Sequence, residues 1–125
     1  MMDDKATEVN IVQALRRAHE ERDAALALSF YSEHAEIRVF DHANPPDSPR
    51  VFRGKAQIAH YLAHLYGQGM TRHVGAALQD VVLGEGRISF NVASWSKDGT
   101  KKRLSAHSYE VDEGEIIYQT NIEAS

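Results

Sequence analysis

The stretch that decides the fold is the second half of the chain, residues 71–124: TRHVGAALQDVVLGEGRISFNVASWSKDGTKKRLSAHSYEVDEGEIIYQTNIEA. Turn signals GEG, KDGT and DEG cut it into successive segments, TRHVGAALQDVVLG, RISFNVASWSKD, KKRLSAHSYEVD and EIIYQTNIEA, each rich in alternating and β-branched residues. Such runs joined by short Gly-bearing turns predict antiparallel hairpins.

Upstream of this stretch the period changes. In residues 7–22, TEVNIVQALRRAHEER, the residues Ile11, Val12, Leu15 and Ala18 fall on one helical stripe, with Thr7 and Asn10 as caps and Arg17 and Glu21 opposite. After Asp23, AALALSFY reads as a second short helix, and SEH turns into a first strand, AEIRVFD, over residues 35–41. HANPPDSP holds all three prolines of the chain and reads as a loop, because proline lacks a donor and restrains its predecessor. VFRG follows as a short strand. From Gly54 to Tyr66, residues Ile58, Tyr61, Leu62, Leu65 and Tyr66 have the i, i+3, i+4, i+7, i+8 spacing of an amphipathic helix, which Gly67 and Gly69 end. Helices first and strands last predict an α+β domain with helices on one face of a curved, mostly antiparallel sheet.

With 125 residues, 42% of them hydrophobic, one domain spanning 1–125 and one core are expected, without staples. The formal charge of −4 leaves no footprint for nucleic acid, and the basic run Lys101-Lys102-Arg103 sits beside a Gly turn as a solvated hairpin arm. The chain has no cysteine, which excludes disulfides, thiolate metal sites and cysteine nucleophiles and leaves soft chemistry to its seven histidines. The opening MMDDKATEVN is unlike a signal peptide, and no window approaches the roughly 18 apolar residues of a membrane span, so a cytoplasmic location is expected.

Three segments carry a resemblance. LRRAHEERDAALALSFYSEHAEI, FRGKAQIAHYL and VDEGEIIYQTNIE resemble, in order and spacing, the helix pair, the strand–Gly–helix unit and the final Gly-turned strand of the SnoaL-like and nuclear transport factor 2-like superfamily. The resemblance covers nearly the whole chain. It implies a cystatin-like cone, a curved sheet wrapped around a pocket and capped by three helices from the N-terminal half, and a homodimer through the outer sheet face. The superfamily includes ketosteroid isomerases, polyketide cyclases, dehydratases, dehalogenases and hydrolases, and also modules that catalyse nothing, so the fold does not settle the function.

Set against the steroid isomerase pattern, several positions depart from it. The general-base carboxylate falls on Val39, the phenolic donor of the first helix on Leu15, and the supporting tyrosine of the third helix on Leu62. Steroid isomerisation by that machinery is not expected, since a developing enolate needs placed donors in a dry site. Asp41, two places beyond Val39, shares its face if the strand continues, and either leans into the mouth of the cone as a base or caps the strand end. Its neighbour His42 points the other way and reads as a loop histidine.

His19 lies inside the apolar arc of the first helix, either as a core imidazole bonded to a carbonyl or as a pocket acid or base. With one residue deleted at the turn, His107 falls where the isomerase keeps its protonated carboxyl donor, and there it would donate to an oxyanion or shuttle a proton with a pKa suited to neutral pH. Tyr109 alternates with it. The same alignment sends Gln119, Asn121 and Glu123 into the cone and Tyr118, Thr120 and Ile122 to the outer face, while Trp95 is expected on the lining face, stacking on a ligand or filling the core.

His60 and His64 have zinc-binding spacing in HYLAH, but without the HExxH glutamate and opposite the apolar stripe they read as solvent-facing. No phosphate loop, nucleophile elbow or dinucleotide fingerprint occurs. The expectation is a pocket without cofactor or metal that takes a small, largely apolar molecule. It acts by proton transfer with Asp41 or His19 as base and His107 as acid or donor, or it binds or dimerises without catalysis.

Overall fold

The computed structural model describes residues 4–41, 43–45, 47–65, 73–96 and 102–124. Helix α1 is Asp4–Glu21, α2 is Ala24–Leu28 and α3 is Gly54–His64; the strands are β1 Tyr31–Phe40, β2 Arg50–Arg53, β3 His73–Gly84, β4 Arg87–Ser96, β5 Lys102–Asp112 and β6 Glu115–Ala124. They form one open sheet in the order β2-β1-β6-β5-β4-β3, antiparallel throughout except where β1 runs parallel to β6. Register shifts within β1, β3 and β5 against their partners mark the irregularities at which such a sheet bends.

The hydrophobic stripe of α1 does what its spacing predicts: Ile11, Val12, Leu15 and Ala18 are buried, joined by Glu8 and His19. Arg22, at φ 56, ends the helix in the left-handed region, and Asp23 caps α2 by accepting from the Leu26 N–H at 3.0 Å. Helix α3 buries Ile58, Tyr61 and Leu62 and leaves His60 and His64 exposed.

Several expected boundaries move. Helix α1 begins at Asp4, so Thr7 and Asn10, expected as its caps, lie inside it. The second helix stops at Leu28, and β1 begins at Tyr31 rather than Ala35, because Tyr31 already pairs with Ile116 of β6. Strand β1 ends at Phe40, so Asp41 lies beyond it and strand alternation no longer governs its direction.

One core joins helices and sheet. Tyr31, Ala35, Ile37 and Val39 of β1, Ile88, Phe90 and Val92 of β4, Tyr109 of β5 and Ile116 of β6 pack under the buried faces of α1 and α3. At the turn end, the N–H of Gly86 donates to Glu8 Oε1 and the N–H of Val111 donates to the Gly86 carbonyl at 2.9 Å, so α1 and two turns are tied together.

Candidate functional site

The register of the sheet assembles the site as rows across strands. Val39, Asn121, His107 and Phe90 form one row through β1, β6, β5 and β4; Ile37, Gln119, Tyr109 and Ile88 form the next. All of these side chains are buried, which places them on the face that the helices cover. Inward alternation of β5 and β6 therefore brings His107, Tyr109, Gln119 and Asn121 together, and α1 adds His19 from its last turn. Leu15 and Leu62, expected to shape the ligand site, are buried in the adjoining apolar cluster with Val39.

The polar side chains form one connected chain. The Tyr31 hydroxyl donates to Gln119 Oε1. The Gln119 amide nitrogen donates to Asn121 Oδ1 at 2.8 Å and to the Tyr109 hydroxyl at 3.4 Å. Asn121 Nδ2 donates to the Tyr61 hydroxyl at 3.0 Å. His107 links Tyr109, 3.2 Å from its Nδ1, to Ser105 Oγ, 2.8 Å from its Nε2. Among the described residues, Glu8 Oε2 is the buried side-chain polar atom without a partner, so the polar groups facing the helices satisfy one another.

His107 lies flat over Phe90, with ring centroids 5.5 Å apart, and His19 meets it edge to face at 6.0 Å. His19 Nδ1 donates to the Leu15 carbonyl at 2.8 Å, which fixes its tautomer and makes Nε2 the basic nitrogen. The carbonyl-bonded reading of His19 and its place beside the pocket candidates thus coincide. Burial lowers the pKa of His19, and burial, with the nearby His19 adding to it, pushes that of His107 down to about 3. The expectation of a His107 pKa suited to neutral pH is corrected: in this apolar setting both imidazoles are neutral at pH 7.

Asp41 does not join this group. Its Oδ1 accepts from the N–H groups of Ala43 at 3.0 Å and Asn44 at 2.8 Å and from Asn44 Nδ2 at 2.9 Å, and Oδ2 lies 4.0 Å from Arg50. Those Asn44 and Ala43 hydrogen bonds hold its carboxyl below the usual range. Of the two readings of Asp41, the geometry is that of the cap, because a freed strand end offers a carboxylate the nearest backbone donors.

Trp95 pairs in backbone register with Lys102, and its side chain, like all of His42, lies outside the described residues. The inward row of β4 is Ile88, Phe90 and Val92.

Ser105, Tyr31 and Tyr61 are site residues that sequence reasoning missed. Ser105 had a usable signal, since it precedes His107 by one alternation. Tyr31 falls in a segment whose spacing reads as helix, and Tyr61 falls on the apolar stripe of the third helix. Tyr61 stands next to Leu62, where the isomerase pattern has its supporting tyrosine, and its hydroxyl accepts from Asn121 Nδ2.

On the convex side, Leu104 and Ile122 are exposed, at 45% and 56%, and Tyr118 and Thr120 are half-buried. Glu36 pairs there with Arg38 at 2.7 Å and Arg53 at 2.8 Å. No helix among the described residues is long and apolar enough to cross a membrane.

No protein-family model and no curated protein sequence matches the chain. Solved structures do. An NTF2-like protein of unknown function from Mesorhizobium loti superposes with a TM-score of 0.81 at 14% identity, over 100% of this chain and 97% of the other. A Kribbella flavida protein assigned only provisionally as a ketosteroid isomerase gives 0.76 at 10% identity, over 100% and 83%. A protein of unknown function with a cystatin-like fold from Methylobium petroleophilum gives 0.72 at 18% identity, over 100% and 80%. The fold of this chain is therefore the NTF2-like, cystatin-like cone, an α+β architecture with an open curved sheet under its helices.

Proposed function

We propose that the protein is a SnoaL-like small-molecule pocket protein, the 1–125 chain acting as one such domain, that holds a small, largely apolar, uncharged organic molecule against the concave face of its sheet. The observation that carries this reading is the polar chain from Ser105 through His107, Tyr109 and Gln119 to Asn121, sunk among apolar side chains. Buried polar groups of this kind orient a ligand within an otherwise apolar site. Neutral imidazoles suit an uncharged ligand, because they offer no cation to offset the desolvation of an anion. The pocket is proposed to work without cofactor or metal.

The test is native mass spectrometry of protein purified without stripping, followed by solvent extraction of whatever it retains. A small organic molecule that shifts the His19 and His107 NMR signals supports the reading. No retained molecule, together with unmoved histidine signals across a panel of ketones, alcohols and lactones, refutes it.

A catalytic reading of the same site is cofactor-independent isomerisation, cyclisation or dehydration by proton transfer. It is favoured by the tautomer of His19, whose basic Nε2 belongs to a ring 6.0 Å from that of His107. Deuterium uptake at the α-carbon of a bound ketone, lost in His19→Gln, supports catalysis; exchange at the solvent rate leaves binding alone. The exposed Leu104 and Ile122 favour a homodimer through the outer sheet face of a cytoplasmic protein. A monomer by light scattering at micromolar concentration would remove that assembly.

A further inference from the structure

The inward positions of β5 alternate as Ser105, His107 and Tyr109, and they are not equally covered. Tyr109 and His107 are 3% and 5% exposed, whereas Ser105 is half-buried. The inward row therefore opens at Ser105, at the end of the strand away from the Gly114 turn. In register it stands between Val92 of β4 and Glu123 of β6.

Two polarities fit the distances around His107. In one, the Ser105 hydroxyl donates to Nε2 and Nδ1–H donates to Tyr109, which is the arrangement of a serine nucleophile with a base behind it. In the other, Tyr109 donates to Nδ1 and Nε2–H donates to Ser105, which leaves the serine proton to be given outward. The Gln119 amide favours the second. Tyr31 donates to its oxygen, so its nitrogen faces Asn121 Oδ1 and the Tyr109 oxygen. A Tyr109 that accepts from Gln119 and donates to His107 continues one head-to-tail chain, Tyr31 to Gln119 to Tyr109 to His107 to Ser105, in which each group polarises the next.

The geometry points to Ser105 as the ligand-contacting hydrogen-bond donor of the pocket, placed at the end of this chain and directed at a carbonyl or other uncharged acceptor oxygen. This assignment rests on the pocket reading above. Burial reinforces it by making His107 a poor acceptor for a serine proton. Glu123, half-buried and in register with Ser105, disfavours a carboxylate at the same position.

Long-range 1H–15N correlation spectra of the labelled protein at pH 7 read the His107 tautomer without any ligand. The Nε2–H form is expected, shifting toward a mixture in Tyr31→Phe; the Nδ1–H form in the unaltered protein overturns the proposal. In the second arm, 2-acetylnaphthalene and its hydrocarbon counterpart 2-ethylnaphthalene are titrated by fluorescence. The ketone is expected to bind about tenfold tighter, the worth of one hydrogen bond in a desolvated site, with the preference lost in Ser105→Ala and kept in Ser105→Thr. Equal binding of the two probes, or a preference that survives Ser105→Ala, refutes the assignment and leaves the pocket reading standing. Binding of neither probe removes the pocket reading and the assignment together. A p-nitrophenol burst from p-nitrophenyl butyrate that vanishes in Ser105→Ala would make the serine a nucleophile and overturn the proposal.

Discussion

Acidification is the perturbation that most directly tests the site. In the unfolded chain the His107 imidazole takes up its proton at the ordinary value of 6.5; in the folded protein it stays neutral down to about 3. Between those values the unfolded state binds more protons, so stability rises with pH across the window: it is fully present above 6.5, falls as acid is added, and is lost below about 3. At 5% exposure the group is too buried for solvent screening to discount the effect. Integrated over the whole window, His107 is worth on the order of 5 kcal/mol, and about 2 kcal/mol of that is lost between pH 7.5 and pH 5. His19, whose pKa burial also lowers, adds in the same direction. Urea unfolding at pH 7.5, 6 and 5 measures the loss while staying above the range in which carboxylates titrate. His107→Gln, which cannot titrate, should show a drop smaller by about 2 kcal/mol. A flat stability from pH 7.5 to 5, or the same drop in the variant, would refute the claim that His107 is buried and neutral.

Three further outcomes follow from the packing. Gln119→Leu removes a partner from Tyr31, Tyr109 and Asn121 at once and should cost about 2–4 kcal/mol in thermal or urea unfolding, against under about 1 kcal/mol if the chain were not intact. Asp41→Ala should lower the melting temperature slightly by releasing its loop while leaving the His107 titration and any retained ligand unchanged; loss of the ligand would return Asp41 to the pocket. Gly86→Ala should cost about 1–2 kcal/mol, because its φ of 71 is strained for an L side chain and a Cβ would sit 3.3 Å from the Val111 carbonyl. Gly84→Ala, whose Cβ would meet nothing nearer than 3.8 Å, is the near-neutral control.

Much of the architecture was legible in the sequence because periodicity is local. The stripe Ile11, Val12, Leu15, Ala18 and the alternation of residues 104–111 need only the geometry of their own segments, and each is buried as its spacing required. That His107 shares a face with Tyr109, and Gln119 with Asn121, was accessible for the same reason; that these faces point inward came from the resemblance. Boundaries were less so. Nothing local distinguished SFYSEH as the end of a helix from SFYSEH as the start of a strand; the pairing of Tyr31 with Ile116, far along the chain, decided it.

The sequence by itself determined which residues share a face: His107 with Tyr109, Gln119 with Asn121, and His60 and His64 with solvent. Only the tertiary structure decided which faces meet, and with that the chemistry. It set His19 against His107, ended β1 one residue before Asp41 so that the carboxylate turned to its own loop, and joined Tyr31 and Tyr61 to the amides of β6. It also reset the basicity of His107, because desolvation depends on everything packed around a group and not on its neighbours in sequence.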